Sequence, residues 1–134
     1  VDGKWYLTRY SGKKMQWYND GGNHVLRTPY ADGHYYGGAS QMVDANPGDL
    51  ITFSADVKSV GNQGGLYCYL YLIPKDANNR SLAYYRVFQY NPSSHWTTKT
   101  IAATMPAHTT RVQVLFWFWD LRANGSIYID NVVV

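Results

Sequence analysis

Apolar and polar residues alternate along most of this chain. In segment 50–58, Ile51, Phe53, Ala55 and Val57 take one side and Thr52, Ser54, Asp56 and Lys58 the other. That is the pattern of a strand with one face buried. Segment 66–73 sets Leu66, Cys68, Leu70 and Leu72 against Tyr67, Tyr69 and Tyr71, and Pro74 is expected to end it. Segment 111–119 sets Val112, Val114, Phe116 and Phe118 against Gln113, Leu115, Trp117 and Trp119. Further strands are expected over 82–90, 96–105 and 126–134, with shorter ones over 4–9, 15–18, 24–28 and 39–43. Asn46-Pro47-Gly48-Asp49, Asn19-Asp20-Gly21-Gly22-Asn23, Tyr35-Tyr36-Gly37-Gly38 and Asn91-Pro92-Ser93-Ser94 read as the turns between them. About nine or ten short strands, with no convincing helix, repeat or linker, predict one all-β domain over residues 1–134, a sandwich or a barrel.

Composition narrows the partners. The chain has no glutamate; nine Asp face twelve Lys and Arg, for a formal net charge of +3. The longest basic run is Lys13-Lys14, so a dedicated nucleic-acid binder is not expected. No stretch reaches the length of an apolar membrane span. Cys68 is the single cysteine, which excludes an internal disulfide and a thiolate zinc cluster. Thirteen Tyr, five Trp and four Phe are the unusual feature.

Where those rings fall carries the chemistry. The aliphatic residues of 66–73 and the core set of 111–119 can fill an interior unaided. Tyr67, Tyr69, Tyr71, Gln113, Leu115, Trp117 and Trp119 are then left on the opposite face. A solvated sheet face normally shows Thr, Ser and Lys, and an amphipathic aromatic patch marks a binding surface. The competing reading is a second core, with this face covered by a loop or by the N-terminal segment. Three phenols on one strand, each needing a hydrogen-bond partner if buried, favour the wet surface.

A sugar ring fits such a surface, because flat rings take its C–H face and amides or guanidinium groups take its hydroxyl rim. Gln113, Arg86, Asp56 and Gln41 are the candidate polar partners. Trp17 either walls the site or packs the interior, whereas Trp5 and Trp96 read as structural.

Three segments resemble the carbohydrate-binding modules of families 4, 9, 16 and 22. Residues 46–58, Asn-Pro-Gly-Asp-Leu-Ile-Thr-Phe-Ser-Ala-Asp-Val-Lys, are similar to their Pro-Gly … Phe-Ser … Val-Lys strand. Trp96-Thr97 through Met105-Pro106-Ala107 resembles their Trp-Thr … Leu-Pro-Ala segment, and Ser126-Ile127-Tyr128-Ile129-Asp130-Asn131-Val132 their closing strand. The likeness spans roughly residues 36–134. It implies a β-sandwich jelly roll of two antiparallel sheets that binds a polysaccharide chain along one sheet face. It also implies a secreted or cell-surface setting and a linked catalytic domain. Asp130 matches the family's C-terminal ligand for a structural calcium, and Asp2 is a conceivable helper. The family's N-terminal segment with its acid is missing.

Catalysis finds little support. Glycosidases commonly use two carboxylates; here Asp56 and Asp120 are the acids expected near the face. Gly38-Ala39-Ser40-Gln41-Met42 breaks the nucleophile-elbow pattern. The four histidines show no close metal-ligand spacing. Three readings stay open: a non-catalytic module that targets an attached enzyme to β-glucan, xylan or mannan; a glycan-adhesion module of a phage tail or cell-surface protein; and a docking module whose aromatic face a partner buries.

Overall fold

The computed structural model describes residues 6–8, 16–27, 35–61, 66–90, 93–121 and 126–133. Ten strands form β1 Tyr6–Thr8, β2 Gln16–Asp20, β3 Asn23–Arg27, β4 Tyr35–Asp44, β5 Leu50–Val60, β6 Tyr67–Lys75, β7 Tyr85–Tyr90, β8 Thr97–Thr104, β9 Arg111–Leu121 and β10 Ser126–Val133. No helix occurs among the described residues. One five-stranded sheet runs β1-β4-β9-β6-β7 and the other β2-β3-β10-β5-β8, every pairing antiparallel. The expected two-sheet sandwich is thus observed.

Alternation decides which face meets the other sheet. Phe53, Ala55 and Val57 of β5, Cys68, Leu70 and Leu72 of β6, and Val112, Val114, Phe116 and Phe118 of β9 are all buried. They form one cluster with Leu66, Ile101, Met105, Ile127 and Ile129. Phe53, Phe116 and Phe118 are fully buried, each contributing about 1.5–3 kcal/mol by leaving water. Cys68 is a free thiol in this interior, and burial pushes its pKa well up. A protonated, inaccessible sulfur packs as a small apolar group.

Turn chemistry sets the register. In the β2–β3 hairpin, Gly21 and Gly22 both take positive φ, 61° and 93°, which suits a two-residue loop whose twist matches its strands. Asn19 Oδ1 accepts the Gly22 N–H at 2.7 Å. In Asn46-Pro47-Gly48-Asp49, Pro sits where φ is already set and Gly48 takes φ 85°. The Asp49 carboxylate accepts the Asn46 N–H at 2.8 Å, closing the turn.

Two expected boundaries move. Tyr35-Tyr36-Gly37-Gly38 belongs to β4 instead of forming a turn. A side chain at Gly38 would put its Cβ 1.9 Å from the Phe116 carbonyl oxygen, so glycine here permits close approach of β4 to β9. Strand β6 also continues past Pro74 to Lys75. The Pro74 carbonyl accepts the Leu82 N–H at 2.8 Å. In a strand the N and C=O of one residue face the same neighbour, so the missing N–H faces the 76–84 loop, where the β7 ladder has not begun.

Candidate functional site

Strands β6 and β9 are neighbours at the middle of one sheet, with Tyr67 opposite Trp119, Tyr69 opposite Trp117 and Tyr71 opposite Leu115. Because partners in a ladder share a face, the sheet's outer side is crossed by rows. Ser40, Leu115, Tyr71 and Arg86 make one row; Gly38, Trp117, Tyr69 and Phe88 the next; Trp119, Tyr67 and the Tyr90 position the third. Adjacent strands lie about 4.8 Å apart, and same-face residues along a strand about 6.8 Å apart, so the rings touch.

The rings form one continuous surface. Tyr67 stacks on Tyr69 with centroids 6.2 Å apart and planes 18° from parallel. Tyr69 lies 5.6 Å from Tyr71 and 5.9 Å from Phe88. Tyr67 is 6.3 Å from both Phe88 and Trp119. Trp119 is 49% exposed and Phe88 55%; the three tyrosines and Trp117 are half-buried. Open π-surface is therefore presented to solvent by rings whose rotamers are held by one another.

Arg86 fixes one rim of this surface. Its guanidinium lies 5.6 Å from the Tyr69 ring centroid, and Tyr71, its cross-strand partner, is the main reason that the arginine pKa is pushed further up. Gln113, half-buried on β9, sits one row from Tyr71, between Met42 and Ile73. Phe88 was not singled out from the sequence. The signal was present, since Phe88 lies two residues from Arg86 on the same strand and shares its face. Ser40, Gly38 and Met42 complete the β4 side for the same reason.

Other expected contributors lie elsewhere. Gln41 pairs with Val114, which is fully buried, so its side chain is on the core side of β4; the expected parity was off by one. Trp17 is on β2, in the opposite sheet, paired with Leu26, and its side chain lies outside the described residues, as does that of Asp120. Asp56 is on β5 of that same opposite sheet, where its carboxylate accepts the Thr98 hydroxyl. Trp96, expected as a core or corner residue, is 38% exposed with the Lys58 ammonium 4.8 Å from its ring centroid. Trp5 and Asp2 fall outside the described residues.

Asp130, the expected calcium ligand, lies on β10 opposite Asp56. Among the described residues no group of three or more His, Cys, Asp or Glu comes together. Calcium also takes backbone carbonyls, amide oxygens and water, and the Asp130 side chain lies outside the described residues.

One concavity lies off the aromatic face. An open cleft of about 710 Å³ lies between the 76–82 loop and the 108–110 turn, lined by Asp76, Asn78, Arg80, Ser81, His108 and Thr110 among others. Asp76 accepts the N–H groups of Asn78 and Arg80, both at 2.9 Å, and Arg80 Nε at 2.9 Å. The Arg80 backbone bond is the main reason that its pKa falls below the ordinary 3.8. This carboxylate is committed to holding a loop, and the cleft walls are otherwise ordinary turn residues.

No protein-family model matches the sequence, and no curated protein does. Solved structures do. The chain is similar to the C-terminal family 22 carbohydrate binding module of Clostridium thermocellum Xyn10B, at 15% identity and TM-score 0.72, over 98% of this chain and 84% of that one. It is also similar to a family 16 carbohydrate binding module, at 22% identity and TM-score 0.65, over 90% of this chain and 83% of that one. A third likeness is to the enzymatically active domain of bacteriophage CBA120 tailspike protein 4, at 16% identity and TM-score 0.74. It covers 98% of this chain, which spans only 19% of the tailspike chain. The fold is therefore the β-sandwich of the carbohydrate-binding modules. At these identities the likeness is one of architecture, and the resemblance carried by the Pro-Gly, Trp-Thr and closing-strand segments holds at that level.

Proposed function

We propose that this chain is a non-catalytic carbohydrate-binding module that holds a polysaccharide chain against the outer face of the β1-β4-β9-β6-β7 sheet. The observation that carries this reading is the contiguous, partly exposed ring surface of Tyr67, Tyr69, Tyr71, Phe88, Trp117 and Trp119. Pyranose rings stack their C–H faces there, while Gln113, Arg86 and the tyrosine hydroxyls meet the hydroxyl rim. By analogy with base stacking, each ring contributes roughly 1–3 kcal/mol. Two or three such contacts, less the cost of ordering a flexible chain, give dissociation constants of about mM to μM.

The setting follows from the same reading. A weak binder is useful when tethered, because it raises the effective concentration of whatever it is linked to. The module is proposed to act outside the cell, joined to a glycan-active domain, with β-glucan, xylan or mannan as targets. The likeness to a phage tailspike supports a second setting, adhesion to a cell-surface glycan through the same face. A glycan array on the isolated module, followed by calorimetry, tests both. Binding to plant-type polysaccharides supports the first setting, and binding confined to microbial wall glycans the second. If no glycan binds and the protein instead forms concentration-dependent dimers, the aromatic face is a docking surface and the proposal falls.

A further inference from the structure

Charge on the aromatic face is lopsided. Arg86 stands on the platform itself, its guanidinium 5.6 Å from the Tyr69 ring centroid and its backbone opposite Tyr71 in the ladder. Among the described side chains the one acid on this face is Asp44, opposite Arg111 at the far end of the sheet. Asp44 is four residues along and three strands across from the Arg86 row. At strand spacings that is roughly 20 Å, beyond the screening length of about 8 Å at physiological salt. Among the described side chains the other two cations of the face are already engaged: Lys75 donates to Ser81 at 2.7 Å and Arg111 to Asn79 at 2.9 Å. Asp76, the nearest well-held carboxylate in sequence, is bound to Arg80.

Arg86 is thus an exposed guanidinium beside the Tyr69 ring, with no carboxylate partner among the described residues. A guanidinium presents a planar fork of donors that matches a carboxylate two bonds at a time. Against a neutral sugar the same fork meets only hydroxyls. We infer that this face selects glycans that carry a carboxylate, with a uronic acid residue placed so that its ring lies over Tyr69 and Phe88 and its carboxylate meets Arg86. The inference rests on the reading of this face as the glycan site and specifies the substrate class.

The test uses pairs that differ only in a carboxylate against a hydroxymethyl group: glucuronoxylan and polygalacturonate, each beside its carboxyl-reduced counterpart, measured by calorimetry at low and high NaCl. At least one acidic form is expected to bind about tenfold tighter than its neutral partner at low salt, with the ratio shrinking as salt rises. Arg86→Gln should bring that ratio to about one, and Arg86→Lys, which keeps the charge but not the fork, should retain part of it. Both variants replace an exposed side chain, and an unchanged melting temperature checks the fold. Equal affinity for the two members of both pairs, or an unaltered ratio in Arg86→Gln, overturns the inference while leaving the glycan site standing. Dextran sulfate binding as tightly as the acidic glycans, and unaffected by Tyr69→Ala, overturns it as mere attraction of polyanions. Absence of binding to all four glycans and to the array overturns both readings.

Discussion

The two outer faces of this sandwich are built by the same alternation and end up unlike. On the β5–β8 side, Thr52, Ser54, Asp56 and Lys58 run beside Thr98, Thr100, Ala102 and Thr104. Its polar groups answer one another, as Asp56 and Thr98 do. Even its aromatics are partnered, for the Lys58 ammonium sits 4.8 Å from the Trp96 centroid and 4.9 Å from that of Tyr128. On the β6–β9 side the central outward positions are Tyr, Trp and Leu, whose rings pack on one another while Trp119 stays 49% exposed. Both faces leave the same interior intact. A sheet needs one apolar face to fold, so an aromatic second face adds nothing that the core requires. The proposed glycan site gives it a use.

The comparison can be broken from the inside first. Phe116→Ala removes a fully buried ring from directly beneath the platform and should cost about 3–5 kcal/mol in urea unfolding. Binding should then be lost only in step with the fold. Gly38→Ala drives a Cβ against the Phe116 carbonyl. It should cost about 1–3 kcal/mol, as overpacking does, and should weaken glycan binding by shifting β4 relative to Trp117.

Next come the faces themselves. Trp117→Ala and Tyr69→Ala should each reduce affinity for the best glycan by roughly 1–3 kcal/mol. Thr100→Ala and Thr52→Ala, on the other face, should change affinity not at all and stability by less than about 0.5 kcal/mol. Normal binding by both aromatic variants would move the site away from this sheet.

The smallest effect belongs to neither face. Folding lowers the pKa of Asp76 below 3.8, so its ionised form favours the folded state. That contribution is present above the unfolded value and is lost as pH falls through 3.8 toward the lower folded value. Asp76→Asn should therefore melt below the wild type at neutral pH, and the gap in melting temperature should close in acid. A gap that persists unchanged down to the acid limit would show that the loop does not depend on the charge.

Much of this was readable from residue order. The interior of β5, β6 and β9 could be named because period two is a local property, set by where successive Cβ atoms point. Tyr67, Tyr69, Tyr71, Trp117 and Trp119 were found by the same rule. It failed where parity could not be anchored. Gln41 follows two glycines that resemble a turn, and only the close β4–β9 contact at Gly38 shows that the strand runs through them. Asp56 was misplaced, and Trp17 left open, for a different reason. Each sits on a strand whose sheet is chosen by pairing with segments far away, β5 with β10 and β8, and β2 with β3 of the same sheet.

The residue order by itself determined which side chains of each strand leave water, and hence that two strands carry a surplus of outward rings. Tertiary structure alone decided that β6 and β9 lie side by side, that β7 brings Arg86 and Phe88 to them, and that Asp56 faces away on the other sheet. Alternation follows from backbone geometry within a single strand. Neighbourhood follows from hydrogen-bonded pairing between strands distant in the chain, and that is settled only when the whole core closes.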